Sequence, residues 1–469
     1  MNKLIAKIAA RLGFRPIQKR SYQGAAISRL TNDWLNPVTS ADQEIRASLS
    51  RLRQRCRELE RNNDYVRRFL SGLESNVLGH TGVGLQMKVT ENGGRPDVLA
   101  NDLVERAWND WSRSESCTVT GRMTWFDVQR LALRSTARDG DCVLRMIRDA
   151  EGFRLQLLEG DRLDINFNQD TAGGNEVRMG VEIDRFGKPV AYHLLDKHPA
   201  DTSAVQAKRE RIPADQVIHP FITDRIAQTR GTPWMVSAMT RLQMLGAYEE
   251  AELTAARVAA SKMGFLVKER SEGYIGDTDE AGNTLMEVEP GAIEELPMGT
   301  TFQSWNPEHP TGNYSSFVKS TLRGIAAGLG VSYNMLANDL EGVNYSSIRA
   351  GLLDEREYYK AVQRWFIDSV ITPVFEGWLE TNLLNGTINL PAAKLDKFKK
   401  PQWLPRRWAW VDPLKDQQAS ILAVDNHFKS KRQVVAEMGG DYESVLREIK
   451  QDEELAADVG LEKPSESVD

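Results

Sequence analysis

"LGVSYNMLANDLEGVNYSSIRAGLLDEREYY", residues 329–359, decides how this chain is read. Upstream, Val318, Leu322, Ile325 and Leu329 recur at helical spacing and stop at Gly330; downstream, an apolar stripe starts at Ile348 and Leu352. Between them lies a link rich in amides, with Asn334, Asn338 and Asn344, and without lysine or arginine from Val331 to Tyr345. Two good helices are interrupted, so the break calls for its own explanation.

Working outward, the downstream stripe continues through Tyr359, Val362, Phe366, Val370, Val374 and Trp378, with Glu355, Glu357, Lys360, Arg364 and Asp368 on the other face. Thr372-Pro373 is expected to kink or restart this helix, because proline lacks the N–H and clashes with the preceding turn. Upstream, Gly324 and Gly328 lie four apart, which costs helix stability and makes room for a second helix. The candidate partner starts at Thr232-Pro233, a hydroxyl N-cap with proline at the first position. It runs to Met263 with only Gly246 as a breaker, alanines that include Ala255 and Ala259, and Gly264 as a stop. About thirty residues at roughly 1.5 Å each give a rod of about 45 Å. Residues 265–312 between the rods read as short strands and turns, such as "EPG" and "NPEHPTGN".

Residues 40–78 read as helical and arginine-rich, followed by glycine-punctuated strands from "GHTGVGLQMKV" and a helix over "NDLVERAWNDW". A helix from Trp125 to Thr136 should end before "RDGD". "CVLRMI" and "FRLQLL" around "RDAEG", and "VRMGVEID" and "PVAYHLL" around "RFGK", predict two hairpins, so residues 80–225 form an α+β domain. The tail holds "PQWLPRRWAWVDPLKD", a helix capped by Asp412 with Pro413 at its first position, a basic link "KSKRQ", and a last helix from about Tyr442.

A chain of 469 residues has room for two or more domains, and its 41% hydrophobic and 27% charged content is ordinary for a soluble protein. The formal charge of -6 argues against a dedicated high-affinity nucleic-acid binder. Charge is uneven: residues 1–70 hold fifteen Lys/Arg against six Asp/Glu, residues 441–469 three against ten. Cys56, Cys117 and Cys142 form no CxxC and no paired framework, which fits free thiols in a reducing compartment. "MNKLIAKIAARLGF" carries Lys3, Lys7 and Arg11, so it reads as a short amphipathic helix and not as a signal peptide. No apolar run approaches eighteen residues, so no membrane span is expected.

Chemistry is sparse. The six histidines show neither HExxH nor HxH spacing, there is no GxxxxGK[ST], and "GHTGVG" departs from GxGxxG. Asp139 and Asp141 could open a calcium loop, but the later ligands are missing and an Asp-Gly turn explains them better. "WLPRRWAW" could stack bases, although aromatic packing between segments is the simpler role. No metal and no cofactor is expected.

The words "ARDGDCVLRM", "GVEIDRFGKPVAYHLL", "QTRGTPWMVSAMTRLQML", "LGVSYNMLANDLEGVNYSSIRAG" and "WAWVDPLKD", in this order and spacing, resemble the lambda-type portal family of tailed bacteriophages over nearly the whole chain. The resemblance implies an α+β, portal-like fold: a mixed α/β wing with hairpins (1–231), a two-helix stem (232–264 and 313–330), a small clip (265–312), a tunnel loop (331–345), a long kinked helix with wing return (346–411) and a helical crown (412–469). It implies a homo-oligomeric ring of typically twelve subunits at one capsid vertex of the virion, through which double-stranded DNA passes without sequence preference. It also implies docking of the terminase large subunit and head-tail connector proteins, contact with major capsid and scaffold proteins, no membrane and no catalytic site. Carried over by position, Asn334, Asn338, Asp339, Asn344 and Tyr345 would line the channel, Ala255, Ala259, Gly324 and Gly328 would pack the stem, and Lys268, Glu269 and Arg270 would dock partners. The low positive charge suits such a channel, since each phosphate held by Lys or Arg adds affinity and would immobilise a sliding duplex. Two alternatives compete: a metal-dependent nuclease or phosphotransferase using Asp139, Asp141, Glu159 and Asp161, and a regulator binding specific DNA through its basic N-terminal helices.

Overall fold

The computed structural model describes residues 38–113, 115–149, 152–171, 173–201, 207–260, 264–268, 300–304, 312–342, 344–408, 413–438, 440 and 442–458. The expected helix at the N-terminus lies outside these residues, as do Asp412, Glu269, Arg270 and most of 265–312.

The helical run expected over 40–78 is two helices, α1 (Ala41–Asn62) and α2 (Asp64–Val77). Asn63 separates them with extended backbone and caps α2 by accepting from the Val66 N–H at 3.1 Å. After β1 (Gly84–Met87) and α3 (Val98–Arg113), α4 (Trp125–Asp139) begins with a Thr124/Asp127 capping box. It runs almost a turn past the expected end at Thr136, because Gly140, at φ 93°, is the residue able to leave the helix.

β2 (Cys142–Asp149) and β3 (Gly152–Glu159) form the first hairpin, from Cys142↔Glu159 to Asp149↔Gly152. The chain then builds an antiparallel five-stranded meander: β4 (Gln169–Asp170), β5 (Glu176–Arg178), β6 (Val181–Ile183), β7 (Pro189–Leu195) and β8 (Arg209–Pro213). β9 (Val217–Ile218) returns to pair with β2. "VRMGVEID" is therefore not one strand. Met179 and Gly180 both take positive φ, 49° and 84°, and fold β5 back on β6; the residue between apolar β positions hides the turn from a period-2 reading. Val143, Val181, Ile183, Tyr192, Leu194 and Ile212 fill a small core between the two sheets.

The larger core lies among the helices. Trp108 is its centre, with ring centroids 5.0 Å from Trp378, 5.5 Å from Phe375 and 5.9 Å from Trp125. Trp403, on β12 (Pro401–Leu404), joins it while β12 pairs with β1, so the tryptophan-rich tail segment is packing material for the N-terminal half.

α5 (Met239–Ala260) starts later than Thr232-Pro233 suggests. The Trp234 N–H donates to the Ala137 carbonyl of α4 at 3.0 Å, and turns closed by Val236 and Ala238 precede the helix. The tertiary bond outcompetes a well-formed local start signal, and the rod shortens to 22 residues, about 33 Å. Gly264 opens β10 (Gly264–Lys268), paired with β11 (Thr300–Ser304). α6 (Tyr314–Leu329), a one-turn α7 (Tyr333–Ala337) and α8 (Tyr345–Phe366) follow.

No restart occurs at Thr372-Pro373. α8 passes through a π-helical segment, Ile367–Ile371, directly into α9 (Thr372–Leu384), with Pro373 in the first turn of α9 and Ile371 still helical at φ -67°. The wider turn supplies the room the proline ring needs. A short α10 (Leu395–Phe398) precedes β12, and the C-terminal region holds α11 (Pro413–Asp425), α12 (Lys431–Glu437) and α13 (Tyr442–Asp458). "KSKRQ" is not a link: Ser430 and Gln433 form a capping box that starts α12. Among the described residues no helix is long and apolar enough to cross a membrane.

Candidate functional site

The amide-rich link is an ordered loop tied to both neighbouring helices. Gly330, at φ 72°, ends α6; Ser332 caps α7, its Oγ accepting from the Met335 N–H at 3.1 Å and donating to Glu355 Oε2 on α8 at 2.9 Å. Asn338 takes φ 52°, a left-handed turn that asparagine tolerates best among residues with a side chain. Asn344 accepts from the Ser347 N–H at 2.8 Å as the N-cap of α8. Two of the three asparagines thus meet backbone demands, which accounts for amides without appeal to a ligand. Asn334 and Asn338 also border a cavity of about 270 Å³ together with Met335, Leu340, Tyr359 and Trp408.

Asp339 anchors the tip. It accepts from Tyr333 Oη at 2.6 Å and from the Glu341 N–H at 2.9 Å, with Lys319 Nζ of α6 3.3 Å away. The Tyr333 hydrogen bond, then the backbone bond, pull its pKa down to about 2. The side chains that extend outward at the tip are Leu340, 63% exposed, and Glu341, 81% exposed and 2.8 Å from Lys319 Nζ. Tyr345 opens α8.

α5 and α6 run antiparallel. Ser237 Oγ donates to the Gly328 carbonyl at 2.7 Å, a Cβ on Gly328 would lie 3.2 Å from Ser237 Oγ, and one on Gly324 would meet the Arg241 guanidinium. At the other end Tyr248 stacks on Tyr314, centroids 5.9 Å apart, and meets Phe317 edge-on at 5.0 Å. Both glycines thus pack within one chain, against α5 and the turns before it. Ala255 is half-buried on α5 and Ala259 lies one turn on; Lys268 closes β10 opposite Thr300.

The aspartates of "RDGD" sit in a buried arginine cluster. Arg230 sends Nε to Asp141 Oδ2 at 2.7 Å, Nη2 to the Gly160 carbonyl at 2.7 Å and Nη1 to the Met179 carbonyl at 3.0 Å. Arg53 Nη2 reaches Asp141 Oδ1 at 2.5 Å, and its Nε donates to the Asp139 carbonyl at 2.8 Å. Asp139 takes paired bonds from Arg57, both 3.0 Å, and from Arg138, 2.9 and 2.6 Å. Burial by itself would raise the Asp141 pKa, but the charges of Arg230 and Arg53 outweigh it and hold the carboxyl well below its usual range. Beside the cluster, Gly140 and Gly231 meet backbone to backbone: a Cβ on Gly231 would overlap the Gly140 carbonyl oxygen.

Donor atoms of Glu159, Asp161 and His198 lie within 4.8 Å of one another, yet Arg57 is 2.5 Å from Asp161 and 3.6 Å from Glu159. Guanidinium groups already occupy the positions a cation would take. The nuclease alternative, which needs these acids open, finds no support in this geometry.

His219 completes the cluster, 2% exposed, with Nε2 3.3 Å from Asp141 Oδ2 but outside hydrogen-bonding geometry. Burial is the largest influence on it and lowers its pKa below 6.5. A base whose pKa is lower folded than unfolded binds fewer protons when folded, so stability falls as pH drops below 6.5 toward the folded value. Between pH 7.5 and 5, urea unfolding should show a stability loss of up to about 1.4 kcal/mol per pH unit from this group. His219→Gln should flatten that slope; an unchanged slope would assign it elsewhere.

A family model described as "Phage portal protein, lambda family" matches residues 28–363. The chain belongs to this family. The "Probable portal protein" of Halomonas phage phiHAP-1 is 35% identical over 463 residues, covering 96% of this chain and 89% of the relative. "Portal protein B" of Escherichia phage lambda is 23% identical over 490 residues, covering 94% and 90%. Among solved structures, a chain of the neck of a native gene transfer agent particle, computed with C12 symmetry, is similar at a TM-score of 0.44 and 12% identity, covering 82% of this portal chain and 93% of that chain.

Proposed function

We propose that this portal chain assembles into a closed ring, with twelve copies as the expected number, at one vertex of the capsid, and that double-stranded DNA enters and leaves through its centre. Family membership carries the reading. The antiparallel pair α5 and α6 is the stem, the residues between β10 and β11 belong to the clip, Val331 to Tyr345 is the tunnel loop, α8 through α9 is the long helix, and α11 to α13 form the crown. The terminase motor and later the connector proteins dock on the clip through Lys268, Glu269 and Arg270, while capsid and scaffold proteins surround the wing in the virion. The subunit itself performs no catalysis; the sequestered Asp139 and Asp141 support this.

Within the ring, the loop offers Leu340, Asn338, Glu341 and the backbone to the duplex, while Lys319 is shared between Asp339 and Glu341. Contact without fixed positive charge lets DNA slide. Leu340→Lys, repeated around the ring, should leave assembly intact by light scattering and reduce packaged DNA at least about tenfold, because every copy adds a phosphate contact. Leu340→Ser should package like the parent. Full packaging by the lysine variant would sink the loop assignment.

A further inference from the structure

α1 carries six arginines and no lysine, and it divides them between two faces. Arg53 and Arg57 point inward to Asp139, Asp141 and Asp161. Arg46, Arg51, Arg55 and Arg61 are exposed, on the half of the helix opposite Leu49, Cys56 and Leu59. Among the described residues none of these four has a carboxylate within ion-pair distance.

Of the glutamates on this helix, two are engaged by arginines elsewhere and the third meets only a neutral amide. Glu44 pairs with Arg225, Glu58 accepts from the Asn62 side chain, and Glu60 is held by Arg134 and Arg138. Residues 1–37 bring seven further Lys/Arg and a single acid, Asp33, so the preceding chain has no charge with which to cover this face. Arg51 and Arg55 are a like-charged pair at i,i+4, which destabilises a helix in water. The face holds four arginines against the exposed Glu58, three residues from both Arg55 and Arg61, and so keeps a positive excess of guanidinium forks, a group well matched to phosphate oxygens. From Arg46 to Arg61 the four span about 22 Å along the axis and fan over about half of the helix circumference, enough to reach several phosphates of a duplex.

We propose that the outward face of α1 binds the phosphate backbone of double-stranded DNA at a site separate from the channel, without sequence preference. A positive excess spread along and around the helix favours a continuous polyanion over an acidic protein, whose charges would be matched one by one. The site uses opposite chemistry to the loop: the loop lets DNA pass, and this face holds it.

A covalently closed DNA circle cannot thread a closed ring, so its binding reads outer surfaces alone and does not depend on the loop assignment. The assembled full-length protein should bind such a circle with a logarithmic affinity that falls linearly with log salt concentration. Arg→Gln at 46, 51, 55 and 61 should reduce that slope by about 0.9 for each phosphate contact removed. Arg→Lys at the same positions should keep the slope. The proposal is overturned if the parent does not bind circles, if the glutamine set binds with unchanged affinity and slope, or if the lysine set loses the slope as well. It is also overturned if polyglutamate of matched charge competes as well as duplex DNA, which would point to an acidic protein.

Discussion

Arg230→Met should lower the stability of the folded subunit by about 3–5 kcal/mol, the cost of leaving a buried ion without its partner. Arg230 is completely buried, and its five donors serve Asp141 and the carbonyls of Gly160, Leu163 and Met179. Those acceptors come from the residue that leads into β2, the turn after β3 and the β5–β6 turn, so one side chain ties the small hairpin to the five-stranded sheet. Asp141→Leu should cost a similar amount by stranding Arg53 and Arg230 together. The double variant should cost clearly less than the sum, because each change removes the penalty the other creates. Urea unfolding followed by tryptophan fluorescence measures all three; single losses below about 1 kcal/mol would mean that water enters and solvates the cluster.

Gly231→Ala should be as damaging or worse, about 4 kcal/mol or more, through overlap alone. Its Cβ would coincide with the Gly140 carbonyl region and come within 2.6 Å of Phe221 Cβ, and both obstacles are main-chain or first-carbon atoms that cannot swing aside. Gly152→Ala is the matched control. Gly152 needs a positive φ of 103° but has open space where the Cβ would go, so its cost is backbone strain of about 1 kcal/mol. If soluble yield and unfolding midpoint fall equally in both variants, the close approach of residues 140 and 231 has no special weight.

Both effects lie on one seam, where "ARDGDCVLRM" meets "QTRGTPWM": Asp141 pairs with Arg230, and Gly140 abuts Gly231. Neither pairing was legible locally, because the partners are about ninety residues apart in sequence. One signal was present. Arg53 stands between Leu49 and Cys56 on an otherwise apolar stripe, and a charge there implies a buried acid elsewhere. The hairpin over 142–159, the antiparallel glycine-bearing helix and the helix from Tyr442 follow from period and turn chemistry alone. The start of α5 does not, since a tertiary bond from Trp234 to Ala137 overrode the Thr-Pro signal. Left-handed backbone and helix capping account for Asn338 and Asn344, demands that a count of amides does not reveal; the outward Leu340 is illegible in the sequence because a single leucine has no pattern.

The π-helical segment at Ile367–Ile371 acts as a phase corrector. Phe366, Val370, Val374 and Trp378 recur at steps of four, and each step overshoots the 3.6-residue turn by about 0.4 residue, so three steps accumulate about one residue of drift. One widened turn absorbs that drift and keeps all four buried on the same side of a continuous rod. Losing a single residue inside 367–371 would remove the drift together with the widened turn, because eleven residues make close to three ordinary turns, and Phe375 and Trp378 would still face Trp108; gaining one would turn them away by about 100°. The widened turn thus stores the one residue by which this rod exceeds three ordinary turns, and that storage lets its two ends agree on which way they face.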